Sequence, residues 1–130
     1  MFIERTDQGS VTAFVVVICL SFVLCTGLIV DGSRIVGAKS HAMDSAGNAA
    51  RVGAQEFLSI RSGNNYLHPS RAVAAAQRYL RAHGVSGFAT CDGYSVTVTV
   101  RSAVKMTILA TIGIQSKQVS ATMSASPVDQ

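Results

Sequence analysis

Residues 11–30 read VTAFVVVICLSFVLCTGLIV, an uninterrupted run of 20 residues without a charge. At 1.5 Å of rise per residue, a helix of this length covers about 30 Å, the thickness of a bilayer's hydrocarbon core. The β-branched content would also suit a buried strand, but strands seldom exceed about 10 residues, so length decides for a membrane helix. A secretory signal would have a basic start and a shorter apolar stretch, roughly 7–15 residues, before a small-residue cleavage site. Here the start MFIERTDQGS sets Glu4 and Asp7 against Arg5. Cys19 follows Val17-Ile18 and Cys25 follows Val23-Leu24, so neither has the small residues that precede a lipoprotein cysteine. The expectation is a retained single span. Its orientation stays open on charge alone: Arg5 and the chain amine stand on one side, Arg34 and Lys39 on the other.

The 130-residue chain is 48% hydrophobic and 14% charged, yet every charged side chain lies outside the run. Of its 11 Lys/Arg and 7 Asp/Glu, all but Arg5, Glu4 and Asp7 lie beyond it. These charges are dispersed and aromatics do not interleave with them, which argues against a nucleic-acid surface. A solvated basic face that tolerates anionic lipid or cell-wall polymer is the plainer reading.

From Asp31 to about Arg61, Ile35, Ala42, Ala46, Ala49 or Ala50, Gly53, Phe57 and Ile60 recur at spacings of three, four or seven. This is one face of an amphipathic helix. If it continues the membrane helix, the two form a rod of about 50 residues and roughly 75 Å. Small residues let another element approach closely, so the stripe is a packing surface. Ser62-Gly63-Asn64-Asn65 breaks the helix. A second helix starts at Pro69, presents Ala72, Val73, Ala76, Tyr79, Leu80 and His83, and ends at Gly84 in the left-handed conformation.

The period then changes. Residues 88–91 and 94–101 around Asp92-Gly93 read as a hairpin, with Val96, Val98 and Val100 on one face and Thr97 and Thr99 on the other. In residues 118–126, Val119, Ala121, Met123 and Ala125 alternate again. Residues 102–117 are ambiguous between a continuing strand and a strand followed by a hydrophobic loop. The fold class is therefore α+β: a long N-terminal helix, a second helix, and an antiparallel sheet of three to four strands. An apolar sheet face needs a cover, and the Ala-rich stripe of the first helix is the obvious one. The expected divisions are a tail over 1–10, the span over 11–30, a helical continuation over 31–62, a small α+β domain over 67–126 and a tail over 127–130.

Catalytic signals are missing. Cys19 and Cys25 lie in the span, and Cys91 stands alone by the hairpin turn. No Cys/His spacing suggests zinc. His41, His68 and His83 form no pattern around Cys91, whose other possible role is intermolecular pairing. Gly84, Gly87 and Gly93 sit at turns and build no phosphate loop. No enzyme activity, metal or cofactor is expected.

The order Gly9-Ser10-Val11-Thr12-Ala13-Phe14, an apolar span, Gly27-Leu28-Ile29-Val30-Asp31-Gly32-Ser33-Arg34, then Met43-Asp44-Ser45-Ala46-Gly47-Asn48-Ala49-Ala50-Arg51-Val52-Gly53-Ala54 resembles the TadE/TadG-like pilus-assembly proteins, most of all their actinobacterial short forms. Tyr79-Leu80-Arg81-Ala82-His83-Gly84-Val85 followed by VTVTV is similar to the same group. The resemblance implies a single-pass protein of the cell membrane, N-terminus in the cytoplasm, with an extracytoplasmic pilin-like domain. It implies a minor pilin or pseudopilin of Flp-type pili whose partners are membrane lipid and other pilin-like or Tad assembly proteins, as homo- or hetero-oligomers. It makes Gly9 and Ser10 a candidate prepilin-type processing site. The family's glutamate five residues into the mature chain is replaced here by Phe14, which favours an uncleaved, TadG-like anchor. Asp31 and Arg34 form the juxtamembrane motif; three residues apart, they can share a helical face as a solvated interfacial pair or as a contact to a partner subunit. Asp44 is expected to cap, or to pair with Arg51 or Lys39, within a helix-packing set that includes Ala46, Ala50 and Gly53. The rival function is a membrane-anchored module for envelope or cell-wall partners unconnected with pili.

Overall fold

The computed structural model describes residues 7–56 and 67–127. One unbroken helix, α1, runs from Asp7 to Ala54. Its 48 residues make a rod about 72 Å long. Residues 11–30 stand almost wholly exposed along it, and the helix is long and apolar enough to cross a membrane. The helix ends before the expected Arg61, with Gln55 in a turn and Glu56 beyond it. Phe57, Ile60 and the break at 62–65 lie outside the described residues.

The second helix, α2 (Pro69–Ala82), follows the sequence closely. Pro69 opens it where a missing N–H costs nothing. At its other end Gly84 takes φ +64°, so that its N–H reaches the Arg81 carbonyl and the Val85 N–H reaches that of Leu80. This paired closure leaves Val85 packed on the core beside Leu80.

Three strands, β1 (Gly87–Cys91), β2 (Val96–Lys105) and β3 (Ser116–Ala125), form an antiparallel meander in the order β1-β2-β3. The first loop is longer than the Asp92-Gly93 turn alone. Asp92 Oδ1 accepts the N–H groups of Tyr94 at 2.9 Å and Ser95 at 2.7 Å, so β2 starts at Val96 rather than Tyr94. Residues 102–117 take the strand-then-loop form. β2 pairs with β3 along its full length, from Val96 opposite Ala125 to Lys105 opposite Ser116, and the apolar stretch between them is a loop with a 3-10 turn at Leu109–Ile112.

Val96, Val98 and Val100 bury one face of β2, joined by Val119 and Ala121 of β3. On the other face, Thr97 bonds Ser124 and Thr99 bonds Thr122 across the strands. Met123 is only partly covered, at the rim of a shallow groove beside Met43 and Asp44. The buried face is roofed by α1 through Ala42, Ala46, Ala49, Ala50 and Ala54. α2 closes the end of this layer with Ala72, Ala76 and Leu80. The closest approach is at Gly53, where an added Cβ would lie 2.9 Å from the Ala72 carbonyl oxygen and 3.0 Å from Val96 Cγ1.

Two glycines of one helix should therefore respond with opposite signs. Gly47 has nothing within 4 Å of an added Cβ, so Gly47→Ala should stabilise by about 0.5–1 kcal/mol through helix propensity. Gly53→Ala gains the same propensity but crowds a backbone oxygen, and overpacking of about 1–3 kcal/mol should leave it less stable. Urea midpoints of the detergent-solubilised full chain test the pair; a Gly53→Ala midpoint above wild type would contradict the packing.

Candidate functional site

The stripe that the sequence places from Ile35 onward begins earlier. Stepping by four along α1, Gly27 and Asp31 precede Ile35 on the same face, and both are buried. What covers them is the β2–β3 loop. Asp31 has 0% exposure, although it is an acid immediately beyond the apolar run. Its carboxylate accepts three backbone hydrogen bonds: Oδ1 from the Thr107 N–H at 3.1 Å, Oδ2 from Ile108 at 2.9 Å and from Leu109 at 2.8 Å.

These donors are the unpaired N–H groups at the start of the 3-10 turn, whose own N-cap residue, Ile108, offers no side-chain acceptor. Asp31 supplies the cap from another element. An ionised carboxylate suits this role because its two oxygens offer about four lone-pair sites and no proton, and because it faces the positive end of the turn. Arg34 donates to Thr107 Oγ1, and Lys39 donates to the Ser120 carbonyl of β3. Asp31 and Arg34 thus converge on one residue, Thr107, seventy-odd positions away in the chain. Below them, Ile108 packs on Gly27, where an added Cβ would fall 2.5 Å from Ile108 Cγ2.

The Leu109 N–H does most to hold the Asp31 carboxyl below its ordinary value of 3.8. Burial pushes the other way, and the Thr107 and Ile108 N–H groups with the nearby Arg34 guanidinium add to the lowering. Asp92 is lowered as well, first by the Ser95 N–H and then by that of Tyr94. It orders the β1–β2 loop, which also receives the Leu67 N–H on the Gly93 carbonyl at 2.9 Å.

The remaining candidates are scattered. Gly9 and Ser10 are exposed in the first turns of α1. Ala46, Ala50 and Gly53 are buried in the core stripe, whereas Asp44 is exposed. Two residues before Ala46, it sits about 200° round the helix, which puts it on the outer side. Cys91 is half-buried, its Sγ accepting the Gly93 N–H at 3.4 Å. His68 precedes α2 and bonds Ser70, while His83 stacks on Tyr79 at 4.1 Å. His41 lines a separate groove with Ala42 and Val85. Among the described residues, no three His, Cys, Asp or Glu side chains gather as a metal site. Sequence reasoning missed Gly27 and the Thr107–Leu109 donors. The signal was the four-residue step from Gly27 to Asp31, which puts a glycine and an acid on one face at the edge of the apolar run.

Because the folded-state carboxyl lies below 3.8, the clamp is complete above that value and weakens as pH falls through the depressed one. The amide resonances of Ile108 and Leu109 should shift together on acidification, with a midpoint below 3.8. In Asp31→Asn, which keeps the shape but loses the charge and one acceptor oxygen, that step should vanish and the loop amides should lose hydrogen-exchange protection. PH-independent wild-type resonances would refute the clamp.

Residues 9–56, the stretch holding the apolar run, Gly27, Asp31 and Arg34 and the packed stripe, match the family model of Flp pilus-assembly TadE/G-like proteins. No curated protein and no solved structure matches the chain. The matched stretch coincides almost residue for residue with α1.

Proposed function

We propose that the chain is a membrane-anchored, pilin-like component of Flp-type pilus assembly, a minor pilin or pseudopilin that works by packing and subunit contacts. The observation that carries this reading is the continuity of α1. One helix has an exposed apolar half and a second half with one face buried against a three-stranded sheet, and the family match covers both halves. In this arrangement the apolar half packs among lipid tails and neighbouring helices, and the domain follows whatever the helix does.

The domain lies outside the cell and the N-terminal residues in the cytoplasm. Gly9–Ser10 stays intact, because Phe14 occupies the place of the glutamate that the processed branch carries. Other pilin-like or Tad assembly proteins are the partners, reached through the span and the exposed outer face of the sheet.

In intact protoplasts, externally added protease should digest the part from Asp31 to Gln130 of the membrane-embedded protein. Protection of that part would overturn the proposed orientation. N-terminal mass spectrometry of the purified protein should return a chain that still contains Gly9; a new terminus at Ser10 would reassign it to the processed branch.

A further inference from the structure

The β2–β3 loop has a composition that the packing of the domain uses only in part: Met106 is buried and Ile108 rests on Gly27, but much apolar surface is left over. From Met106 to Ser116 it holds no charged residue, and Lys105 and Lys117 stand at its two ends. Ile108, Ile112 and Ile114 are exposed, Ile112 by 69%. In a water-facing hairpin, such a cluster at the tip would be an uncovered apolar patch.

Its position supplies the cover. Ile108, Leu109 and Ile112 line an almost wholly apolar slot with Leu24, Cys25 and Leu28 of α1. Leu24 lies seven residues before Asp31, so the loop reaches roughly 10 Å back along the helix from the Asp31 clamp. That is inside the uncharged run. Backbone can enter such a region only if its polar groups are satisfied. Here the Thr107, Ile108 and Leu109 N–H groups go to Asp31. Those of Thr111, Gly113 and Ile114 go to carbonyls within the loop. Gly113, at φ +98°, turns the chain back.

We propose that the β2–β3 loop is a second membrane contact. Ile108, Ile112 and Ile114 enter the leaflet on the side of the folded domain, an acyl chain occupies the slot beside Leu24 and Leu28, and Lys105, Lys117 and Arg34 lie at the level of the phosphates. Long basic side chains flanking apolar surface suit that boundary. The same three cations oppose a second copy of this loop and attract anionic headgroups, which selects lipid as the occupant. The proposal rests on the reading of α1 as a membrane span. Held by a helix and a loop together, the domain cannot rotate freely over the bilayer.

The chain contains no Trp, so a single introduced one reports its own surroundings. Full-length Ile112→Trp, Leu20→Trp and Tyr94→Trp variants are reconstituted into phosphatidylcholine–phosphatidylglycerol vesicles, with or without acyl chains brominated near the headgroup or near the bilayer centre. Ile112→Trp should emit to the blue of Tyr94→Trp and lose about half its intensity to headgroup-proximal bromine. Tyr94→Trp, at the opposite end of the sheet, should be unquenched, and Leu20→Trp should be quenched by central bromine. Quenching of Leu20→Trp without quenching of Ile112→Trp overturns the loop contact and leaves the span intact. Failure of Leu20→Trp to quench overturns the span and the loop contact with it. Blue-shifted but unquenched Ile112→Trp emission puts a protein surface, such as a second copy, on the loop and overturns the lipid assignment.

Discussion

The structure depends on one buried carboxylate. Asp31 joins two parts of the chain with different solvent requirements: behind it lies an apolar helix, and around it closes the far loop of a sheet that begins 56 residues later. Without an acceptor at that point, the part-buried Thr107, Ile108 and Leu109 N–H groups would lose their partner, a cost that grows where water is scarce. With it, the tip of the longest hairpin is fixed against α1, and the register of β2 and β3 fixes everything between the clamp and the core. The acid is buried because the loop needs it, and the loop is ordered because the acid is there.

The rest of the interface is made of absence. Ala42, Ala46, Ala49, Ala50 and Gly53 contribute little apolar surface of their own, and a stripe so thin would be a poor core between two ordinary helices. Its value is distance. Small residues let the helix lie directly on the Val96, Val98 and Val100 face and let the Ala72 carbonyl of α2 come up against Gly53, so the larger side chains of β2 and Leu80 do the filling. Gly27 repeats the device for Ile108 at the other end of the same stripe. From Ala42 to Ala54 the helix is thus smooth along this face, and the bulky groups that pack on it there come from the partner elements.

Much of this was legible in the sequence because its signals are local. Period and length identify α1, the Pro69 and Gly84 punctuation bounds α2, and the Val96-Thr97-Val98-Thr99-Val100 alternation orients β2. The Asp31 site was not legible, because its donors lie 76 to 78 positions from the acid, and they are backbone groups, which leave no trace in residue identity. An acid three residues from a basic residue reads as an ion pair on any helix. Only the fold reveals that both side chains reach for Thr107. Likewise Asp44 resembles Asp31 in its setting among small residues, but it stands two positions out of step with the stripe and meets solvent. Ambiguity in 102–117 had a different source: alternation persists through Ile108, Ala110, Ile112 and Ile114, while the backbone leaves the ladder at Met106 to meet the helix.

That persistence is itself informative. A loop between two strands of a soluble domain would shed apolar residues, since nothing in its own domain covers them. This one keeps four large aliphatic side chains, satisfies three of its N–H groups on the buried Asp31 carboxylate, and confines its cations to the two strand ends. Each choice is expensive in water and inexpensive at the edge of a hydrocarbon layer. On the proposed membrane contact, the composition of the loop and the burial of Asp31 share a single physical origin: a boundary between the two solvents that crosses the domain at the level of the clamp instead of a linker between helix and domain.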